Sequence, residues 1–138
     1  MAYYQTYKKN KFGAKKQTYE GIQYDSGREA QKASELDLLL KAGEIKSWKR
    51  QVKIEINFKK NKKDEWILTG ETGLSLKEKG IEFRHFRNYF MDFVIEHFDG
   101  SIEYLEIKGF ETEVWKQKFF LTELIFHNHP KIFLTVEK

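Results

Sequence analysis

The order of periodic segments predicts one α/β (α+β) domain, in which a helix, three strands, a second helix and a last strand follow one another. Apolar residues recur every three or four positions in two segments, which is typical of helices. They recur at every second position in others, which is typical of strands with one buried face. The chain of 138 residues is long enough for one hydrophobic core, and its 16% aromatic content argues against disorder. We therefore expect residues 1–138 to form a single domain.

Local signals give the boundaries of these elements. Ser26 is suited to cap the first helix and Gly43 to end it. Asp99-Gly100 is a turn pair that tolerates positive φ, so it predicts a hairpin between the segments on either side. The predicted elements are a helix over 26–42, strands over 48–58, 88–98 and 101–108, a helix over 112–128 and a strand over 131–136. The polar, glycine-containing segment 59–80 predicts a loop or an irregular hairpin, and its lysines and glycine hinges favour a role in substrate selection.

Positive charge is clustered along the chain, although the net charge is only +4. Five lysines and no acid occur in the first 16 residues, within a basic N-terminal arm predicted over 1–20. Eight basic residues and one acid occur in 46–63, and a third basic group precedes the hairpin. Such clusters favour a polyanionic partner, although a solvated surface explains them equally well. The candidate DNA-contacting residues are Lys8, Lys11, Lys15, Lys16, Arg50, Lys53, Arg84, Arg87, Lys116 and Lys118.

The composition also excludes several kinds of chemistry. The chain has no Cys, which excludes disulfides, thiolate catalysis and Cys-based zinc sites. No apolar run is long enough to span a membrane, and the N-terminus lacks the apolar core of a secretion signal. We therefore expect a soluble, cytoplasmic protein with no membrane partner. His127 and His129 are too few for a recognised zinc spacing, and we interpret them as helix-end residues.

One group of residues in the predicted hairpin carries potential chemistry. Asp92 lies on the incoming strand, and Glu106 and Lys108 lie on the outgoing one. Because side chains alternate along a strand, Glu106 and Lys108 share a face, and antiparallel pairing brings Asp92 near them. Two carboxylates form an oxygen site suited to Mg²⁺ or Mn²⁺, beside an amine. Acid–X–Lys spacings are common, however, and most are solvated cross-strand neighbours.

The element order with Asp92 and Glu106-Ile107-Lys108 resembles the PD-(D/E)XK nuclease superfamily, which has the restriction-endonuclease-like fold. Three segments also resemble a family of small phage-encoded proteins known only as a domain of unknown function: NKFGAKKQTYEGIQYDSGREAQKASELDLLLKAGEI, MDFVIEHFDGSIEYLEIKG and TEVWKQKFF. They cover most of residues 10–120, whereas 59–87 matches poorly and resembles a variable insertion. Met91 stands where the motif has proline.

The resemblance implies a mixed sheet flanked by helices and a role for each matching residue. Asp92 and Glu106 match the metal-binding acids, and the backbone carbonyl of Ile107 matches a further ligand. Lys108 matches the motif lysine. Glu29 matches an additional acid of resolvase-like members, although an acid in the first turn of a helix is also explained by the helix dipole. Gln51 occupies an odd position in the alternating strand 48–58, from which it faces either the site or solvent.

We therefore expect a Mg²⁺- or Mn²⁺-dependent DNA endonuclease. The resemblance to resolvase-like members implies branched DNA such as a Holliday junction, cut by a homodimer. A non-catalytic nucleic-acid-binding module on the same fold is the main alternative, because clustered positive charge explains binding without turnover. A phage accessory protein that binds another protein is the third alternative, because some of the three Trp and seven Tyr could supply an interface.

Overall fold

The computed structural model describes residues 16–138, so the predictions for Lys8, Lys11 and Lys15 lie outside the described residues. The described part contains seven strands and three helices. In chain order these are β1 (Gln17–Tyr19), β2 (Ile22–Tyr24), α1 (Gly27–Lys41), β3 (Ser47–Lys60), β4 (Trp66–Thr69), α2 (Gly73–Glu78), β5 (Phe83–Glu96), β6 (Ile102–Ile107), α3 (Glu113–Phe126) and β7 (Ile132–Glu137).

Five of the strands form a mixed sheet in the order β4-β3-β5-β6-β7. The strands β3, β5 and β6 pair as an antiparallel meander, and β4 joins the outer edge of β3, also antiparallel. The last strand, β7, runs parallel to β6, and α3 makes the crossover between them. The predicted α/β (α+β) class, with its helix, three-stranded meander, helix and last strand, is confirmed.

Two further elements occur at 59–80, where the sequence predicted a loop or an irregular hairpin. Trp66–Thr69 pairs with the end of β3, because its apolar residues continue the sheet. Thr72 caps the short helix α2, accepting a hydrogen bond from the Ser75 N–H at 3.2 Å. Leu76 of this helix is fully buried. The antiparallel pairing of β4 with β3 agrees with the hairpin alternative. The helix α2 was not predicted, because the segment around it is polar, and this part of the prediction is corrected.

Two predicted boundaries are also corrected. The strand expected from residue 88 begins at Phe83, because its pairing with β3 continues past a register shift between Ile56 and Asn57. Arg84 and Arg87 therefore lie within β5, not before it. Residues 17–19, which the sequence assigned to the basic arm, form a small hairpin with β2.

Two hydrophobic clusters meet near the middle of the sheet. The first packs between α1 and the sheet and includes Phe93. The second packs under α3 and includes Met91 and Ile54. On β5, Asp92 therefore lies between Met91 of the second cluster and Phe93 of the first cluster. This junction is where the polar residues of the predicted site converge.

Within residues 16–138, no helix combines the length and apolar character needed to cross a membrane.

Candidate active site

Asp92 and Glu106 face each other where β5 and β6 separate. The pairing of these strands extends from Glu96–Ile102 to Phe93–Leu105, and the two acids are the next residue on each strand. The Asp92 N–H donates to Glu106 Oε2 at 3.3 Å. The Ile107 N–H donates to Asp92 Oδ2 at 2.8 Å. The carboxylates thus satisfy backbone donors that the ladder no longer pairs, which fixes both side chains.

Glu29 reaches the same region from the first turn of α1. The side chain of Ser26 accepts a hydrogen bond from the Glu29 N–H at 3.2 Å, so the cap also positions this residue. The Glu29 side chain is buried, which is unusual for an acid near a helix N-terminus. A favourable interaction with the helix dipole does not require the acid to be buried. The burial of Glu29 therefore favours its predicted role beside Asp92.

The three acids lie in a poorly solvated cluster of like charge. Burial, followed by the nearby charges of Asp92 and Asp25, raises the pKa of Glu29 to about 8. Burial raises the pKa of Asp92 to about 6. Burial and the charge of Asp92 raise the pKa of Glu106 to about 8. Proximity of this kind favours either shared protons or a bound cation. Asp25, just before the helix cap, is an acid of this cluster that the sequence analysis did not identify.

Trp115 and Tyr89 connect the acids to the core. The Trp115 indole N–H donates to Glu106 Oε1 at 3.2 Å and to the Tyr89 hydroxyl at 2.9 Å. The ammonium of Lys108 lies 5.5 Å from the centre of the Trp115 ring. One indole therefore orients both the acid and the lysine of the Glu106-Ile107-Lys108 segment. The sequence analysis did not identify either aromatic residue as part of the site, because both resemble ordinary core residues. Only the indole N–H and the hydroxyl group, which need polar partners when buried, could have indicated this role.

Gln51 lies on the site side of β3, which agrees with one of its two interpretations. Its backbone has φ 51°, a left-handed conformation that is uncommon outside glycine. The side-chain amide donates to Asp92 Oδ1 at 3.4 Å. Arg50, predicted to contact DNA, is half-buried, with its guanidinium 4.7 Å from the centre of the Tyr24 ring. The positive charge of Arg50 lowers the pKa of Glu29, against the larger effect of burial.

The donor set fits a magnesium-type cation that also uses ligands from the substrate. In residues 16–138, no group of three or more carboxylate or imidazole side chains is arranged to hold a metal ion. Mg²⁺, however, is usually bound through one or two carboxylates together with water and substrate phosphates. Asp92 and Glu106 meet that requirement. The Ile107 N–H donates to Asp92. The role of the Ile107 carbonyl as a metal ligand stays a prediction.

The described candidates for DNA contact are spread along the molecule. Lys16, Lys53, Arg84, Arg87 and Lys116 are exposed, and Lys118 is half-buried. Lys116 pairs with Glu113 at 3.5 Å within α3. The arginines lie five and eight residues before Asp92 on β5, so the structure does not gather these cations around the carboxylates.

Comparison with known protein families assigns the chain to one family. A family model described as "Protein of unknown function (DUF1064)" matches residues 9–134. The chain therefore belongs to this family. No curated protein and no solved structure matches it significantly. The resemblance to the PD-(D/E)XK superfamily stays a prediction.

Proposed function

We propose that this protein is a Mg²⁺- or Mn²⁺-dependent endonuclease that hydrolyses phosphodiester bonds of DNA. Two hydrogen bonds at the separation of β5 and β6 carry the proposal, one from the Asp92 N–H to Glu106 Oε2 and one from the Ile107 N–H to Asp92 Oδ2. They hold two buried carboxylates side by side without a cationic side chain in salt-bridge contact among the described residues. A divalent cation would supply the positive charge that these carboxylates lack, and it would also bind a phosphate of the DNA.

Each residue of the site has a distinct part in this proposal. Asp92 and Glu106 would hold the cation, which supplies Lewis acidity for the phosphate and the attacking water. Glu29 supplies a third carboxylate, suited to accept a proton from water in the site. Lys108 places a positive charge beside the same two acids, where it stabilises charge that develops on the phosphate. Trp115 acts through Glu106 and Lys108 and is a positioning residue.

The proposed substrate class comes from the resemblance to resolvase-like nucleases. It is branched DNA such as a Holliday junction, cut by a homodimer that presents two sites to two strands. Such an activity belongs in the cytoplasm of a bacterial host if the chain is phage-encoded. The basic residues at Lys16, Lys53, Arg84 and Arg87 are available on the surface for phosphate contacts.

Calorimetric titration with Mn²⁺ separates a nuclease from a non-catalytic DNA-binding module. We expect heat of binding for the wild-type protein that is lost in Asp92→Asn and in Glu106→Gln. Glu123→Gln, which alters an exposed carboxylate on α3, is the matched control and should bind Mn²⁺ normally. If the wild-type protein gives no heat yet binds DNA in a salt-sensitive manner, the module is the better description.

A further inference from the structure

An open cleft lies at the far end of the sheet from the carboxylates. It has a volume of about 310 Å³ and is lined by Phe58, Trp66, Arg84, His85 and Phe86. This volume is at the lower end of the range of ligand clefts, roughly 300–1,000 Å³. Trp66 is 40% exposed and Phe86 is 44% exposed, so part of each side chain is accessible to a ligand. We call this group the aromatic cleft.

Cationic side chains stand over the rings of the aromatic cleft. The guanidinium carbon of Arg84 lies 5.3 Å from the centre of the Trp66 ring. The guanidinium carbon of Arg87 lies 5.3 Å from the centre of the Phe86 ring. Among the described residues, neither arginine pairs with a carboxylate. Lys60 also lies over Trp66, at 5.4 Å, but is bridged to Asp64.

We propose that the aromatic cleft binds unpaired bases of a nucleic acid. Flat rings with adjacent arginines are the chemistry that recognises single strands, because every base has a face that stacks and every nucleotide carries a phosphate. Trp66 and Phe86 stack the bases, and Arg84 and Arg87 contact the backbone. A second copy of this chain is a poorer occupant, because a symmetric contact at this cleft would bring unpaired arginines close to one another.

The position of the aromatic cleft refines the substrate, an inference that rests on the proposed nuclease function. Arg84 lies eight residues before Asp92 on the same strand, which is roughly 26 Å at about 3.3 Å per residue. Duplex DNA covers that length in about seven or eight base pairs at 3.4 Å each. A duplex that follows β5 and occupies both places would therefore be cut near Asp92, and its strands would separate at most about seven or eight base pairs away.

Quenching of tryptophan fluorescence by a short oligothymidine in EDTA tests base binding without catalysis. Of the three tryptophans, Trp115 is buried and Trp48 is half-buried, so quenching by stacking reports on Trp66. An abasic oligonucleotide of the same length keeps the phosphates and removes the bases. We expect oligothymidine to quench and bind the full-length protein, and the abasic strand to bind at least several-fold more weakly with little quenching.

Substitutions at the cleft separate stacking from charge. Trp66→Leu should weaken oligothymidine binding about 5- to 100-fold, whereas Trp66→Phe should retain most of it. Phe98→Leu, which alters another exposed ring near the opposite end of β5, is the matched control and should bind normally. Equal binding of oligothymidine and the abasic strand, or unchanged binding by Trp66→Leu, would overturn the proposal.

Two further results distinguish this proposal from the nuclease proposal. If Trp66→Leu loses base binding but the wild-type protein cuts no DNA with Mg²⁺ or Mn²⁺, the aromatic cleft stands and the nuclease function fails. If the wild-type protein cuts DNA but Trp66→Leu binds oligothymidine normally, the nuclease stands and the cleft proposal fails. A dimer that Trp66→Leu dissociates with no change in oligothymidine binding would make the cleft a self-association surface and also overturn it.

Discussion

Neutral hydrogen-bond donors from the backbone and from side chains hold the carboxylates of Asp92 and Glu106, and no residue in 16–138 forms a salt bridge with either acid. The N–H of Ile107 and the amide of Gln51 each donate to Asp92, and the N–H of Asp92 and the indole of Trp115 donate to Glu106. These bonds orient the acids but do not neutralise two negative charges in a buried place. At the scale of the residue, the repulsion between these buried charges therefore lowers the stability of the metal-free protein, and the proposed cation would relieve it.

The raised pKa values predict how the metal-free protein responds to pH. Because the folded-state pKa values of Glu29, Asp92 and Glu106 are about 8, 6 and 8, the folded protein retains protons that the unfolded chain has released above about pH 4. The free energy of unfolding should therefore decrease as the pH rises from about 4 to 8. Thermal unfolding in EDTA across this range measures the effect.

Asp92→Asn tests the origin of that pH dependence. At pH 8 in EDTA, we expect it to raise the free energy of unfolding by about 1–3 kcal/mol, because an amide can keep the bond from the Ile107 N–H without the buried charge. Mg²⁺ should stabilise the wild-type protein at pH 8 and leave the variant unchanged. A variant that is less stable than the wild-type protein at pH 8, with Glu123→Gln unaffected, would show that the charges do not repel as described.

Trp115→Phe tests the positioning of Glu106. It retains the ring beneath Lys108 but removes the N–H that bonds Glu106 and Tyr89. We expect DNA cleavage at limiting Mg²⁺ to fall about 10-fold and the Mg²⁺ concentration for half-maximal activity to rise. Trp48→Phe is the matched control, because it removes an indole bond to Asp37 at 3.0 Å in the other hydrophobic cluster. Equal metal dependence in the two variants would assign Trp115 a structural role only.

At the scale of the element, the separation of two strands creates the site. The strands β5 and β6 pair as far as Phe93–Leu105, and the acids occupy the first positions beyond that pair. The left-handed backbone of Gln51 interrupts β3 opposite the same point, between the pairs Arg50–Phe93 and Val52–Met91. Because α1 also places Glu29 beside Asp92, four elements contribute residues to one cluster, namely α1, β3, β5 and β6.

The packing of β4 against α3 supports the sheet next to this region and depends on Gly70. A Cβ at Gly70 would lie 2.7 Å from Cγ2 of Ile125, closer than carbon atoms approach. Gly70→Ala should therefore reduce the free energy of unfolding by about 1–3 kcal/mol, measured by urea denaturation. Gly109→Ala is the control, since its Cβ would meet only Arg28 Nη1 at 3.8 Å. Equal midpoints for the two variants would mean that Ile125 moves aside without cost.

At the scale of the whole molecule, the sequence predicted those elements whose ends are set by caps and turns. The Ser26 cap and the Asp99-Gly100 turn placed α1 and the β5–β6 hairpin, and with them Glu29, Asp92 and Glu106. Trp115 was not predicted as part of the site because its contact with Glu106 depends on how α3 packs over the sheet. The strand β4 was predicted only as one of two alternatives, and the six-residue helix α2 was not predicted, because such short elements carry weak periodic signals.

The central claim is that Asp92 and Glu106 form a metal-dependent hydrolytic centre. The most direct measurement is cleavage of labelled linear duplex, single strand, flap and four-way junction by the purified protein with Mg²⁺, Mn²⁺ or EDTA. We predict cutting with Mg²⁺ or Mn²⁺ only, its loss in the folded Asp92→Asn and Glu106→Gln proteins, and preference for DNA that contains a branch. Cutting by both variants at the wild-type rate, or no cutting of any DNA by the wild-type protein with either metal, would contradict it.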